Sequence, residues 1–306
     1  MSDDTIGIGE LARLAGVPVR TVRFYCDEGV LEARRSPGGH RRFDPEAVER
    51  LRLVRRLRAL GLGLPAIVEV LTGERALEEA VAAERAALDR ELEELAWRRA
   101  SLRAVEEAGP AERAARLDLL AAVEGGGRRA FEAVASLWRE TAVAPVSPAT
   151  MDGLVAGAVP EPPAEPAPAQ VVAYAELVVL TADRALRRRL RDRGRVNAPH
   201  IADEDALLAG LAEACAMAES GLLAGRPPGP GPAVDRLVAA HAEVRGRRDT
   251  PEFRQALYWK LVAEQDPGIE RYWRLAAEVT GDPVTLGTAH GWLVEGLAAD
   301  LAAITG

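Results

Sequence analysis

The sequence predicts a mainly α-helical chain: a winged helix-turn-helix with a small β-wing, then a long coiled-coil dimerisation helix, then an all-α C-terminal bundle. Three observations carry this. A short basic helix over 19–28 runs almost directly into an Arg-rich hairpin around Pro37-Gly38-Gly39. Residues 77–105 contain neither Gly nor Pro and carry one narrow apolar stripe. Beyond residue 109 the patterned stretches have a helical period, with no alternating strand pattern of useful length. The expected boundaries are 1–75, 76–108 and 109–306, with a Pro-rich connector over 144–169.

Over 8–17, Ile8, Leu11, Leu14 and Ala15 share one helical face, and Gly16 breaks the helix. Val19, Val22 and Cys26 then recur at steps of three and four, which leaves Arg20, Thr21, Arg23 and Tyr25 off the packing stripe. Gly29 stands where a left-handed cap is wanted. Two helices so joined form a helix-turn-helix whose second helix enters the major groove. The turn at 37–39 joins one arm bearing Arg34 and Arg35 to another bearing Arg41, Arg42 and Phe43, a basic wing. Double-stranded DNA is the expected partner. The contacts expected are Val19, Arg20, Thr21, Arg23 and Tyr25 from the helix, and Arg41, Arg42 and Phe43 from the wing.

The net charge of −8 over 306 residues argues by itself against nucleic acid, but its distribution reverses that. Between Val19 and Arg58 there are eleven arginines against six carboxylates, so a basic footprint sits on an acidic body. Lys260 is the single lysine, and in so Arg-rich a chain a lone arginine says little. Cys26 and Cys215 are the only cysteines and are far apart, which supports neither a disulfide framework nor a metal site. No signal peptide and no bilayer-length apolar run is evident, so a soluble cytoplasmic chain without membrane partner is expected.

The segments IGELARLAGVPVRTVRFYCDEGVL, GGHRRFD and VERLRLVRRLRALGLGLPAIVEVL, in this order and spacing, resemble the MerR-type transcriptional regulators over residues 6 to about 108. Pro18 departs from the Ser common at that position, and Pro is accommodated at a helix start. The resemblance implies an antiparallel homodimer through the long helix. It also implies a phosphate contact at Arg58, and a promoter distorted so that RNA polymerase can engage it when ligand is bound. Metal sensors of the family place clustered Cys around the dimer helix, and 77–105 has none, so no metal and no cofactor is expected.

Downstream, Val48, Leu51, Val54, Leu57 and Leu60 mark a helix over 45–60 with Asp44 as its cap, and a short helix over 65–71 closes at Gly73. Leu77, Val81, Leu88, Leu92, Leu95 and Leu102 form one narrow apolar seam, expected to close on a dimer mate, with packing on the downstream domain of the same chain as the alternative. A helix through Val123 follows, then Gly125-Gly126-Gly127, which lacks the strand and the G-K-[ST] of a phosphate loop. A helix over 128–142 precedes the connector, which is expected to be extended or mobile, with one turn at 150–155, and to separate the early helices from a second bundle. In that bundle, helices are expected over 170–193, where an Arg-rich run reads as a solvated face, then over 203–224, 234–245 and 250–265. Two more should start at Asp266-Pro267 and Asp282-Pro283.

The four histidines are scattered without ligand spacing, so an enzyme is the weaker reading. Aromatics are only 4% of the chain, yet Tyr258, Trp259, Tyr272, Trp273 and Trp292 fall late and close together. They read either as bundle core or as the wall of a site for a small apolar organic effector. The residues thus point to a ligand-responsive regulator. A ligand-independent repressor or DNA-organising protein is the alternative, and an enzyme with a DNA-binding appendage comes third.

Overall fold

The computed structural model describes residues 5–36, 38–123, 125–142 and 145–305; Pro37 of the expected wing turn, Ala144 of the expected connector and residues 1–4 lie outside them. The chain forms two compact units, Met1–Leu92 and Glu93–Gly306. The division falls inside the long helix α5, Leu77–Glu106.

In the first unit, β1 (Ile6–Gly7) leads into α1 (Ile8–Ala15), followed by α2 (Val19–Asp27), β2 (Arg34–Arg35), β3 (Arg41–Phe43), α3 (Ala47–Ala59) and α4 (Leu64–Thr72). Gly16 ends α1 in the left-handed region, φ 66, and Val17 N–H turns back to the Ala12 carbonyl at 2.9 Å. A side chain at Gly16 would be strained there. The sheet order is β1-β3-β2, all antiparallel, with Ile6 opposite Phe43 and Arg34 opposite Arg42. Strand β1 is unforeseen, because two residues are too few to show a period. Leu11, Val22, Phe43, Leu51, Val54 and Ile67 are fully buried together and fix the two helices to the wing. The expected cap at Asp44 is corrected: 44–46 form a turn, with Ala47 N–H on the Asp44 carbonyl at 3.0 Å, and the Asp44 carboxylate pairs instead with Arg34 at 3.2 Å.

The second unit takes the remainder of α5, then α6 (Arg113–Ala121), α7 (Gly126–Thr141), α8 (Pro148–Ala158), α9 (Pro168–Ala182) and α10 (Arg184–Asn197). It continues with α11 (Glu204–Leu223), α12 (Pro232–Glu243), α13 (Pro251–Ala263), α14 (Pro267–Thr280) and α15 (Leu286–Thr305). Side-chain caps at Ser147, Asp183, Asp203, Thr250 and Asp266 accept N–H groups that the first turns leave unpaired. One core joins Trp97 of α5 to Val134, Leu137, Tyr174, Leu177, Tyr272 and Leu275, and another joins α11, α12, α13 and α15 around Leu237, Leu257, Leu293 and Leu297.

Several expectations are corrected here. The helix over 170–193 is two helices, because Asp183 adopts ψ 114 and its carboxylate caps Ala185 N–H at 2.7 Å. The one turn expected at 150–155 is a whole helix, Pro148–Ala158. Ser147 starts the eleven-residue α8, and Val155 and Val159 enter the same core as Val134 and Tyr174, so no gap separates the early helices from a second bundle. The last helix begins at Leu286, after Thr285 and Thr288 exchange cap bonds, while Asp282 accepts Val284 N–H. Finally, α11 is long and apolar enough to cross a membrane, with mean hydropathy 1.4. Its buried residues, Leu207, Gly210, Ala214, Cys215, Ala218 and Gly221, form one face, and the helix packs on α12 and α15.

Two buried tyrosines clamp the connector. Tyr174 Oη donates to the Pro160 carbonyl at 2.7 Å, and Tyr272 Oη donates to the Ala158 carbonyl at 2.7 Å while accepting Trp138 Nε1–H at 3.0 Å. Burial pushes both phenols above their ordinary pKa. Tyr272→Phe would orphan a buried carbonyl and a half-buried indole N–H, which costs up to about 1–3 kcal/mol for each group left unpaired. Urea denaturation should register a loss of that order, with little change in helix content before unfolding.

Candidate functional site

Helix α2 is phased by its core. Val22 and Tyr25 are buried, and Val19, Thr21 and Cys26 are half-buried. The Val30 and Leu31 N–H groups both return to the Tyr25 carbonyl, 2.9 and 3.2 Å, which closes the C-terminal end of the helix. Outward, Arg20, Arg23, Phe24 and Asp27 form one stripe at i, i+3, i+4 and i+7. Among the described residues neither Arg20 nor Arg23 has a hydrogen-bond or ion-pair partner, and Phe24 is 50% exposed. Asp27 ties the stripe to the wing through an ion pair to Arg41 Nη2 at 3.0 Å.

This arrangement corrects the expected contact set at two positions. Tyr25 is only 8% exposed and belongs to the core, and Phe43 is wholly buried beneath β3. The residue missed is Phe24. The basic stripe itself could have found it, because the helical step from Arg20 to Arg23 and Asp27 passes through position 24 and not 25.

The wing and the Arg face of α3 are more engaged within the unit than their composition suggests. Arg42 reaches back to β1, its Nε to Thr5 Oγ1 at 3.2 Å and its Nη2 to the Thr5 carbonyl at 2.8 Å. Arg52 and Arg55 donate to the Leu14 and Ala15 carbonyls at the end of α1. Arg58 donates to the Leu62 carbonyl at 2.9 Å, satisfying the chain just after α3. Arg52 and Arg55 thus complete the C-terminal end of α1, which otherwise leaves acceptors unpaired. Arg34 and Arg35 of β2 are exposed, and the Arg35 guanidinium has no hydrogen-bond or ion-pair partner among the described residues.

On α5 the apolar stripe lies open: Leu77, Val81, Leu88, Leu92, Leu95 and Leu102 are between 38% and 65% exposed. Beyond residue 92 the opposite face is occupied, with Trp97, Ala100 and Ala104 buried.

The five late aromatics do not converge. Tyr272 is fully buried, and Trp273 meets it edge-on and lies tilted against Trp138 in one core, ring centroids 5.0 and 5.6 Å apart. Tyr258 and Trp292 pack against the other core, Trp292 donating Nε1–H to the Arg226 carbonyl at 3.1 Å. Trp259 is 61% exposed. The reading of the five as one wall is thereby corrected: adjacent side chains on a helix diverge by about 100°, which turns Tyr258 to the core and Trp259 to the surface, whereas Tyr272 and Trp273 share one core. Among the described residues no three His, Cys, Asp or Glu side chains cluster so as to hold a metal ion.

Residues 7–74 match the model of the MerR HTH family regulatory proteins. The HTH-type transcriptional regulator ZntR homolog of Haemophilus influenzae is 30% identical over 92 residues, which are 30% of this chain and 68% of that protein. The chain belongs to the MerR family. Nodulation protein NolA of Bradyrhizobium elkanii is 45% identical over 71 residues, 23% of this chain and 32% of its own length. The mercuric resistance operon regulatory protein of Serratia marcescens is 39% identical over 69 residues, 22% of this chain and 48% of its own. The chain therefore spans about a third of the length of the nodulation proteins it matches, and the MerR likeness lies in its N-terminal part. No solved structure matches the chain.

Proposed function

We propose that this MerR-family chain is a cytoplasmic, non-enzymatic transcriptional regulator that binds promoter DNA as a homodimer. The observation that carries the reading is the exposed Arg20-Arg23-Phe24 stripe, whose two arginines have no partner among the described residues, on a helix whose other face is locked into the core. Arg20 and Arg23 enter the major groove, Thr21 and Val19 border it, and Arg35 and Arg41 meet phosphates. The open leucines of α5 close on a second copy, because six large apolar side chains on one exposed stripe are what a coiled-coil seam presents. RNA polymerase is the partner at a promoter that the dimer distorts, and residues 93–306 sense a small organic effector.

The wing supplies the test of this reading. In Arg35→Ala/Arg41→Ala, the slope of log affinity against log salt should fall by about 0.9 per lost phosphate contact. Arg42→Ala should instead loosen β1, since Arg42 holds Thr5. Fluorescence anisotropy on a duplex measures both, and an unchanged slope in the double variant removes the wing from the interface.

A further inference from the structure

A cleft of about 490 Å3 opens beside the start of α13, lined by Arg245, Arg247, Arg248, Lys260 and, among its apolar side chains, Phe253 and Leu257. This volume lies within the range of small-molecule sites, about 300–1,000 Å3. Its charge is out of keeping with its surroundings. Residues 93–306 hold 24 basic against 31 acidic side chains, yet the cleft sets four cations against one carboxylate, Glu252.

The chain builds this deliberately. Gly246 ends α12 in the left-handed region, φ 59, and Arg247 N–H turns back to the Ala242 carbonyl at 3.0 Å. Four residues later Thr250 Oγ1 accepts Phe253 N–H at 3.2 Å and starts α13. Arg247 and Arg248 are thus held between two fixed helix ends. Arg245 is anchored from behind, its Nη1 donating to His241 Nδ1 at 2.8 Å and to the His241 carbonyl at 2.9 Å. Arginine only donates, so His241 Nδ1 accepts and its proton sits on Nε2, which is buried without a partner among the described residues. Burial keeps that ring neutral, pushing its pKa down to about 3, so His241 orients Arg245 without adding charge. Lys260 is matched by Glu264 at 2.8 Å. Arg247 and Arg248 are exposed and have no ion-pair partner among the described residues.

We propose that this cleft binds an organic anion, an acidic head group on an apolar body, with Arg247 and Arg248 on the head and Phe253 and Leu257 against the body. Its regulatory meaning rests on the sensing role proposed above, but binding is measurable without it.

The full chain is titrated with 8-anilinonaphthalene-1-sulfonate, and decanoate or decyltrimethylammonium then competes. The expected result is saturable binding of one dye per chain, displaced by decanoate and not by the cation of the same body. Affinity should fall about tenfold in Arg247→Ala/Arg248→Ala, as expected when charge-assisted contacts are lost. That variant should keep the wild-type melting temperature, since neither side chain holds a partner. Arg184→Ala/Arg188→Ala removes the same charge from the exposed face of α10 and should leave dye affinity unchanged. Equal dye affinity in the cleft variant, an equal loss in the α10 variant, or equal displacement by the cation overturns the proposal. Dye binding as expected with no change in DNA affinity would leave the cleft standing and contradict only its regulatory role.

Discussion

Leu92→Asp is expected to turn a dimer into a monomer in sedimentation and to remove tight DNA binding, although residue 92 touches no DNA. Leu92 is 64% exposed in the single chain, so its replacement removes no intrachain core contact and the melting of each unit should hardly move. In a dimer the change acts on both copies. Each substitution forfeits about 1.5–3 kcal/mol of apolar burial and places an unpaired carboxylate against apolar neighbours. A loss of several kcal/mol corresponds to at least a thousandfold weaker association, at about 1.4 kcal/mol per factor of ten. DNA affinity then follows, because two linked half-site contacts exceed one by roughly 10²- to 10⁴-fold. A wild-type chain that is monomeric at micromolar concentration would remove the seam as a dimer contact.

Arg20→Ala/Arg23→Ala should abolish discrimination between operator and random duplex while leaving the chain folded and dimeric. Both guanidinium groups point outward from a helix held by Val22 and Tyr25, so nothing in the core depends on them. A well-made base contact is worth about 1–3 kcal/mol. Two lost in each of two half-sites bring specific binding down toward the non-specific level. Tyr25→Ala separates the roles: because Tyr25 is core, it should lower stability, and DNA binding only through folding. Phe24→Ala should weaken DNA binding without a change in melting temperature.

The sequence made the N-terminal unit legible because its helices end on unambiguous chemistry. Gly16, Gly29 and Gly73 stop its helices as expected, and in the second unit Asp203, Thr250 and Asp266 start helices in the same way. What escaped was phase and partition. In α2 a nine-residue helix contains too few turns to phase its stripe to one residue, so Tyr25 and Phe24 exchanged places. Asp183 reads as one polar residue inside a long helix, and only its ψ and its cap bond reveal a break. The prolines of the connector signalled an extended chain, yet its helix and carbonyls are held by Tyr174 and Tyr272, whose hydroxyls arrive from residues 14 and 114 positions away. The cationic cleft was invisible for the same reason. Its charges come from a loop and from α13, and in so Arg-rich a sequence only their shared opening sets them apart.

The most direct measurement is selection of duplexes from a random pool by the full chain, followed by footprinting of the winner. A MerR-family homodimer reading two half-sites should enrich an inverted repeat, protected on both halves, and lose that enrichment in Arg20→Ala/Arg23→Ala. Enrichment of no inverted repeat, or the same repeat with the arginines removed, would contradict the assignment of this chain as a dimeric, sequence-reading regulator.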